Sequence, residues 1–449
     1  MTSADRSALP GLGPPASFAF PPIATDTLPN GIRLWTIDRP RSELVTVVLL
    51  LRHGSAADPP DRAGLAALTG DLLDEGSRER DGMELHRALQ RMGGAFAAEV
   101  TSDGTFVSLT ALARFAHQAI AHLIEVAARP RFDPDDVERV RDLRLNRLAQ
   151  MERIAGSVAD RVWLRGLYGS HPYAHSPIGS APSLEGASAA DVAAFHERHF
   201  GAGGWTVIVV SSDAARLRPV VSEQLAALPG GGGAPAPPPP DPAPAARRLL
   251  LVPRPGAVQS EIRLGHLGAA RSSPDHHALL VLNMVLGGQF VSRVNLNLRE
   301  RKGYTYGART VLDLRRGRGP FVLRAAVETS ATADALREAG AEIAAIRGDR
   351  PVSDAELDGA RAALTRGFAR RFETAGQLAA AAMRLALFDL PADEYTTFVP
   401  RVAALDARAV AGAAGRLLQP ERLVAVVVGD PDKLSSSLAD AGFGEPLGP

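Results

Sequence analysis

Residues Pro229–Ala246 read PGGGGAPAPPPPDPAPAA, a stretch with no periodic apolar residue that mixes flexible glycine with stiff polyproline. It is a linker, and it divides the chain into two parts of similar size that repeat each other. Each part opens on a strand pair: NGIRLWTIDRP (30–40) then VTVVLLLRHG (45–54), and RRLLLVPRP (247–255) then SEIRLGHLG (260–268). Aligning Pro40 with Pro255 also aligns Val47 with Ile262, both pairs being 215 positions apart. Each part closes on a helix, SAADVAAFHERHF (188–200) or ARAVAGAAGRLL (407–418), followed by a buried strand, TVIVVSSD or VAVVVGD, in which Asp213 and Asp430 are 217 apart. Offsets that agree within two residues indicate a duplicated unit.

Inside the first unit, AGLAALTGDLLDEG (63–76), GMELHRALQRMG (82–93) and 134–154 carry apolar residues three or four apart and read as helices. AFAAEVTSDGTFVSLTALA (95–113) holds a DG turn between β-prone runs and reads as a hairpin. The pattern predicts an α+β fold: a tandem repeat of two similar domains, each a mostly antiparallel sheet flanked by helices. The expected organisation is a flexible leader at 1–24, a first repeat at 25–228, a linker at 229–246 and a second repeat at 247–449.

Composition narrows the function. The 449 residues are 45% hydrophobic and 22% charged, which excludes a mostly disordered chain. There are 50 basic and 50 acidic residues, an even balance that argues against a nucleic-acid partner, whose phosphates call for clustered cations. Lysine occurs at Lys302 and Lys433 alone, and the many arginines are spread along the chain among acids. With no cysteine there is no disulfide framework, thiol nucleophile or Cys-ligated metal. The longest apolar run, Val45–Leu51 with Thr46 inside it, is far below the ~20 residues that span a bilayer, so no membrane span is expected. MTSADRSALPGLGPPASFAF is a poor signal peptide, which favours a cytoplasmic location, with the periplasm as the alternative.

Most catalytic signatures are absent: there is no GxSxG elbow, no phosphate loop and no HExxH. His196 and His199 lie three apart at the end of a helix, His171 and His175 fall in a Pro-containing loop, and the adjacent His276 and His277 diverge on a helix. None of these pairs has a third ligand placed to complete a metal site. DPDDVER and SDAELDG precede helices and read as caps, and the alanine-rich AAAAMRLALFDLP reads as a surface for close helix packing.

The informative segment is Leu286–Gly307, LGGQFVSRVNLNLRERKGYTYG. Two glycines open it in a tight turn, a helix follows with Val291, Val294 and Leu298 on its inner stripe, and a Gly303 turn leads to Tyr306 at the start of a strand. The arrangement presents the Arg299 guanidinium from a helix end and the Tyr306 phenol from the next strand. Such donors suit a peptide carbonyl or developing oxyanion; on spacing alone, surface salt bridges are the favoured reading.

With these residues the chain resembles the pitrilysin/insulinase (M16) family of zinc peptidases, in the branch of the mitochondrial processing peptidases, the cytochrome bc1 core proteins and short bacterial homologues. LGG…SR…LRERKGYTYG resembles the family's Arg/Tyr motif, HPYAHSPIG (171–179) resembles its mid-domain loop, and the tandem repeat resembles its architecture. The family binds zinc through an inverted HxxEH on a first-repeat helix plus a later Glu. In this chain the ligand positions hold Ala67, Asp71 and Arg147, with Gly70 at the general-base position, and Ala97 replaces the usual Asn of the substrate-supporting GGxxNA pattern. No histidine occurs from Gly54 to Leu85 to rescue a shifted alignment.

The resemblance therefore implies a chain with no cofactor of its own and no independent activity. It would form half of a clam-shell chamber and lend Arg299 and Tyr306, as catalytic residues, to a homologous HxxEH-bearing partner whose zinc hydrolyses a peptide or unfolded polypeptide. The alternative is an inert scaffold similar to the bc1 core subunits.

Overall fold

The computed structural model describes residues 18–230 and 237–448. Two sheets form its frame. In the first half, β1 (Ala24–Thr27), β2 (Arg33–Asp38), β3 (Leu44–Leu51), β4 (Ala95–Val100), β5 (Thr105–Leu112) and β6 (Thr206–Ser211) are ordered β1-β2-β6-β3-β5-β4. In the second half, β7 (Arg248–Pro253), β8 (Gln259–Leu267), β9 (Thr305–Leu312), β10 (Pro320–Glu328) and β11 (Val424–Gly429) are ordered β7-β11-β8-β10-β9. Apart from the parallel pairs β2–β6 and β7–β11, every neighbouring pair is antiparallel. The two-domain α+β architecture expected from the sequence is the one observed, and β1 is an addition that the second half lacks.

The central strands are apolar throughout because both of their faces are covered. Along β3, Val45, Val47, Leu49 and Leu51 pack on the first half's own helices. Val48 and Leu50 face the other way and meet the helix Ala375–Leu387 of the second half. The exchange is reciprocal. The helix Ala155–Tyr168 of the first half lies on the second sheet, where Ala159, Trp163 and Leu167 pack against Val424, Val426 and Val428 of β11. The Trp163 indole donates to the Val424 carbonyl at 2.9 Å, and β8 carries Gly265 beneath it, since a Cβ there would fall 2.9 Å from the ring. The alanine-rich helix 375–387 works the same way in reverse, its buried Ala375, Ala379, Ala381, Ala382 and Ala386 allowing close approach to the sheet.

Each half is thus completed by a helix from the other, whereas the sequence reading treats the repeats as self-contained. The expected flexible leader also needs correction over its last residues. Phe18 stacks on Phe372 at 4.8 Å, Phe20 meets the same ring edge-on, and the Phe20 amide donates to Thr396 Oγ1 at 3.2 Å. Two phenylalanines this close in sequence gain more from an aromatic pocket than from water. Residues 1–17 of that leader, and 231–236 of the linker, lie outside the described residues. Over 237–246 the linker forms neither helix nor strand, and the Pro240 carbonyl accepts from His171 Nε2 at 2.8 Å.

Caps fall where the acids predict them. Asp133 receives the Asp135 amide ahead of the helix Pro134–Glu152, and Ser353 with Glu356 forms a capping box ahead of Asp354–Thr365. The helical run His276–Arg301 is, by length and composition alone, apolar enough to cross a bilayer. In the fold its Leu279, Leu282, Leu286, Val294 and Leu298 are buried in the second half's core.

Candidate functional site: a closed metal position and an open Arg/Tyr motif

The first-half helix that carries the expected ligand positions is short, Leu65–Asp71. Asp58 fixes its start, accepting from the Gly64 and Ala66 amides at 2.7 Å each, while His175 Nε2 of the HPYAHSPIG loop reaches the same carboxylate at 3.1 Å. Ala67 and Gly70 are buried. A Cβ on Gly70 would sit 3.3 Å from Val100 Cγ2, so this position packs directly against β4. Asp71 at the helix end pairs with Arg144 of the helix Pro134–Glu152.

Arg144 is only 8% exposed at its side chain, and its Nη2 also donates to the Pro177 carbonyl at 2.9 Å, tying two helices and the 171–179 loop together. Asp71, half-exposed at 44%, has a pKa raised by the protein packed around it, against the opposing pull of Arg144 and Arg147. Gly70, Asp71, Ala97, Arg144 and Arg147 share one groove of about 390 Å³ beside β4, which is the edge strand. The residues present do not fit zinc: of the three carboxylates lining the groove, Asp71 is held by Arg144, Glu75 by Arg139 and Asp74 lies 3.4 Å from His86, no histidine lines the groove, and the Arg144 and Arg147 guanidiniums do. Sequence reasoning singled out Arg147; it missed Arg144, the cation that pairs with Asp71. Arg144 and Arg147 lie three apart on one helix face, so spacing alone does not say which of them meets Asp71.

The histidines have other work. His196 Nε2 donates to the Ala127 carbonyl at 2.8 Å, and the His199 ring lies tilted against His53 with centroids 4.7 Å apart, its pKa pushed down to about 4 chiefly by burial and then by His53. Burial likewise brings His276 down to about 3. Among the described residues no group of three or more His, Asp or Glu is arranged to hold a metal.

The second-half motif is built differently. The helix His276–Asn283 widens into a π turn at Met284–Gly288, and a second wide turn, Leu296–Arg301, precedes Gly303, whose φ of +68° favours glycine. Gly287 is needed for close approach, because a Cβ there would lie 2.5 Å from the Thr310 amide of β9. Val294 and Leu298 are buried as expected, but Val291 is not: it sits in the turn before the helix begins at Arg293 and is exposed.

Phe290 is exposed beside it, and the Arg299 guanidinium lies over its ring at 4.3 Å. Arg299 is also 3.4 Å from Glu300, and its Nη1 is buried with no hydrogen-bond acceptor. Tyr306 is 91% exposed on β9, another edge strand. The buried Asn295 staples the pieces, its Nδ2 donating to the Phe290 carbonyl at 2.7 Å and its Oδ1 accepting from the Ala308 amide at 3.0 Å. Arg299 and Tyr306 therefore hang from two elements held in fixed register. Phe290 and Asn295 escaped the sequence reading, which gave the first to a tight turn and had no partner for the second.

Comparison with known proteins follows this division of the chain. The family model described as "Insulinase (Peptidase family M16)" matches residues 33–171, and that described as "Peptidase M16 inactive domain" matches 186–364. An uncharacterized zinc protease of Mycobacterium leprae (strain TN) is 25% identical over 347 residues, covering 77% of this chain and 78% of its own. A non-peptidase homolog, YmxG, of Helicobacter pylori (strain ATCC 700392 / 26695) is 23% identical over 137 residues, 30% of this chain and 32% of its own. The crystal structure of a peptidase M16 inactive domain from Pseudomonas fluorescens superposes with a TM-score of 0.85 at 24% identity, covering 91% of this chain and 98% of that one.

Proposed function

The chain belongs to the M16 peptidase family, and from that premise we propose that it is the non-zinc subunit of a two-chain peptidase, lending Arg299 and Tyr306 to a zinc-bearing homologue. The observation that carries this reading is the contrast at the two sites. The Asp71–Arg144 pair occupies the first, while the second presents a 91% exposed phenol and a guanidinium whose Nη1, 3.4 Å from Glu300, makes no hydrogen bond. A phenol OH and a guanidinium N–H both donate, and the carbonyl oxygen of a peptide bond, which gains negative charge as it is attacked, is the acceptor they suit. Phe290 keeps the guanidinium flat, and the Asn295 staple keeps β9 in register with it. The substrate is a peptide or unfolded polypeptide, and the likeness to a protein named a non-peptidase homolog supports the absence of independent activity.

The test is reconstitution with an HxxEH-bearing M16 chain. Arg299→Ala or Tyr306→Phe is expected to lower peptide cleavage by about 100-fold or more, the usual cost of removing one donor to an oxyanion. Full activity in both variants would leave the scaffold role. Stoichiometric zinc and cleavage by the purified chain alone would overturn the assignment outright.

A further inference from the structure

Three arginines stand side by side on one face of the second sheet. Arg324 of β10 is directly opposite Arg263 of β8 on one side and Arg309 of β9 on the other. Directly opposed residues on antiparallel strands project from the same face with their Cβ atoms about 5 Å apart, and like charges so placed repel. All three line a single cleft of about 590 Å³, together with Gly287, Phe290 and Gly307 of the Arg/Tyr motif.

The fold balances this row from one end. Arg263, buried at the inner position, donates to Asp160 at 2.6 Å, to Glu261 at 2.9 Å and to the Gly156 carbonyl at 2.9 Å, the first and last belonging to the helix contributed by the other half. Arg324 is 3.6 Å from the same Asp160, and its Nε is buried without a hydrogen bond. At the outer end the Arg309 guanidinium has no ion pair or hydrogen bond among the described residues. The row thus carries three cations against two carboxylates, and the uncompensated charge faces the cleft that Phe290 and Gly307 also line.

We propose that this cleft is a carboxylate-binding subsite for the peptide held in the chamber, with Arg309 and Arg324 taking an acidic side chain of an extended peptide. Two guanidiniums at cross-strand spacing offer forked donors to a single carboxylate, and the ligand's charge relieves the repulsion between them. The substrates would then be acidic polypeptides. This deepens the function proposed above by naming its substrate class, but binding is a property of this chain alone and is measured without a partner.

The experiment titrates the purified full chain with two fluorescently labelled extended peptides, one bearing Asp and Glu and the other the matching Asn and Gln. The acidic peptide is expected to bind at least tenfold more tightly at low salt, with the preference falling as ionic strength rises. Arg309→Gln and Arg324→Gln should each reduce the preference about tenfold. Because Arg309 is exposed and repelled by its neighbour, Arg309→Gln should leave Tm unchanged or raise it slightly. Equal binding of the two peptides, no binding of the acidic one up to millimolar concentration, or a preference surviving both substitutions overturns the proposal. So does binding of inorganic phosphate with no binding of either peptide, which would make the cleft a small-anion site. Loss of the preference in Arg309→Gln and Arg324→Gln, together with unchanged cleavage by the reconstituted enzyme carrying Arg299→Ala or Tyr306→Phe, would sink the lent-donor reading while leaving the subsite standing.

Discussion

The two halves each gather arginines beside an edge strand, and they treat them in opposite ways. Beside β4, Arg144 is buried and committed to Asp71 and the Pro177 carbonyl, so the groove at the expected ligand positions is tied into the fold. Beside β9, Arg263 is satisfied by a helix from the other half, Arg324 is satisfied in part and Arg309 not at all. Charges neutralised internally stabilise a fold, and charges left facing a cleft are available to a ligand at some cost in stability. The same residue type therefore has a structural role in one half and an open valence in the other. What separates them is whether a carboxylate on a neighbouring element lies within reach.

The most forceful way to break this comparison is to loosen the helix that supplies Asp160. Trp163→Ala removes a fully buried indole from the contact between Ala155–Tyr168 and the second sheet, and should cost about 3–5 kcal/mol of unfolding free energy. Since each half is completed by the other, chemical denaturation followed by fluorescence and by circular dichroism should still show one coincident transition, shifted to lower denaturant. Two separate transitions in the wild-type chain would mean that the exchanged helices do not couple the halves.

A smaller effect is expected at the closed site. Arg144→Ala deletes charge-assisted hydrogen bonds to Asp71 and to Pro177, worth about 1.5–3 kcal/mol. The pH dependence carries the sign. The Asp71 pKa is already raised in the folded state, so its contribution favours folding at acid pH and is lost as pH rises through the folded value. Removing Arg144 raises that pKa further, so the deficit of the variant should be smallest below about pH 4, the usual carboxylate range, and should widen toward neutrality. A deficit that widens toward acid instead would show that the pair does not hold Asp71 ionised.

The smallest effect is the most diagnostic of an open valence. Tyr306→Phe should change stability by less than about 0.5 kcal/mol, because the hydroxyl is exposed and unpaired. A clear loss of Tm in the isolated chain would show that the phenol has a structural partner.

Much of the fold was legible because it rests on local signals. The strands located in the sequence, β2 to β8 and β11 with the start of β9, appear where their apolar and β-prone runs put them, β1 and β10 were not located, and Asp133 and Ser353 cap the helices they precede. The residue types at the expected ligand positions were legible in the sequence, since the Ala67 side chain has no donor atom and Arg147 is a cation. Arg144 was not, because choosing between two arginines one turn apart requires knowing which of them meets Asp71. Phe290 and Val291 read as turn and helix, yet both are exposed, since the helix starts two residues later than the apolar spacing suggested.

By itself the sequence determined the duplication, the α+β class and the loss of metal ligands, all of which are properties of order and residue type along the chain. Only the tertiary structure decided that the halves exchange helices, that Asn295 locks the Arg/Tyr register, and that Arg263, Arg324 and Arg309, spread over 61 positions of sequence, stand in one row. Strand register and helix docking are set by packing between segments distant in sequence, and an even overall charge says nothing about which charges are left without a partner.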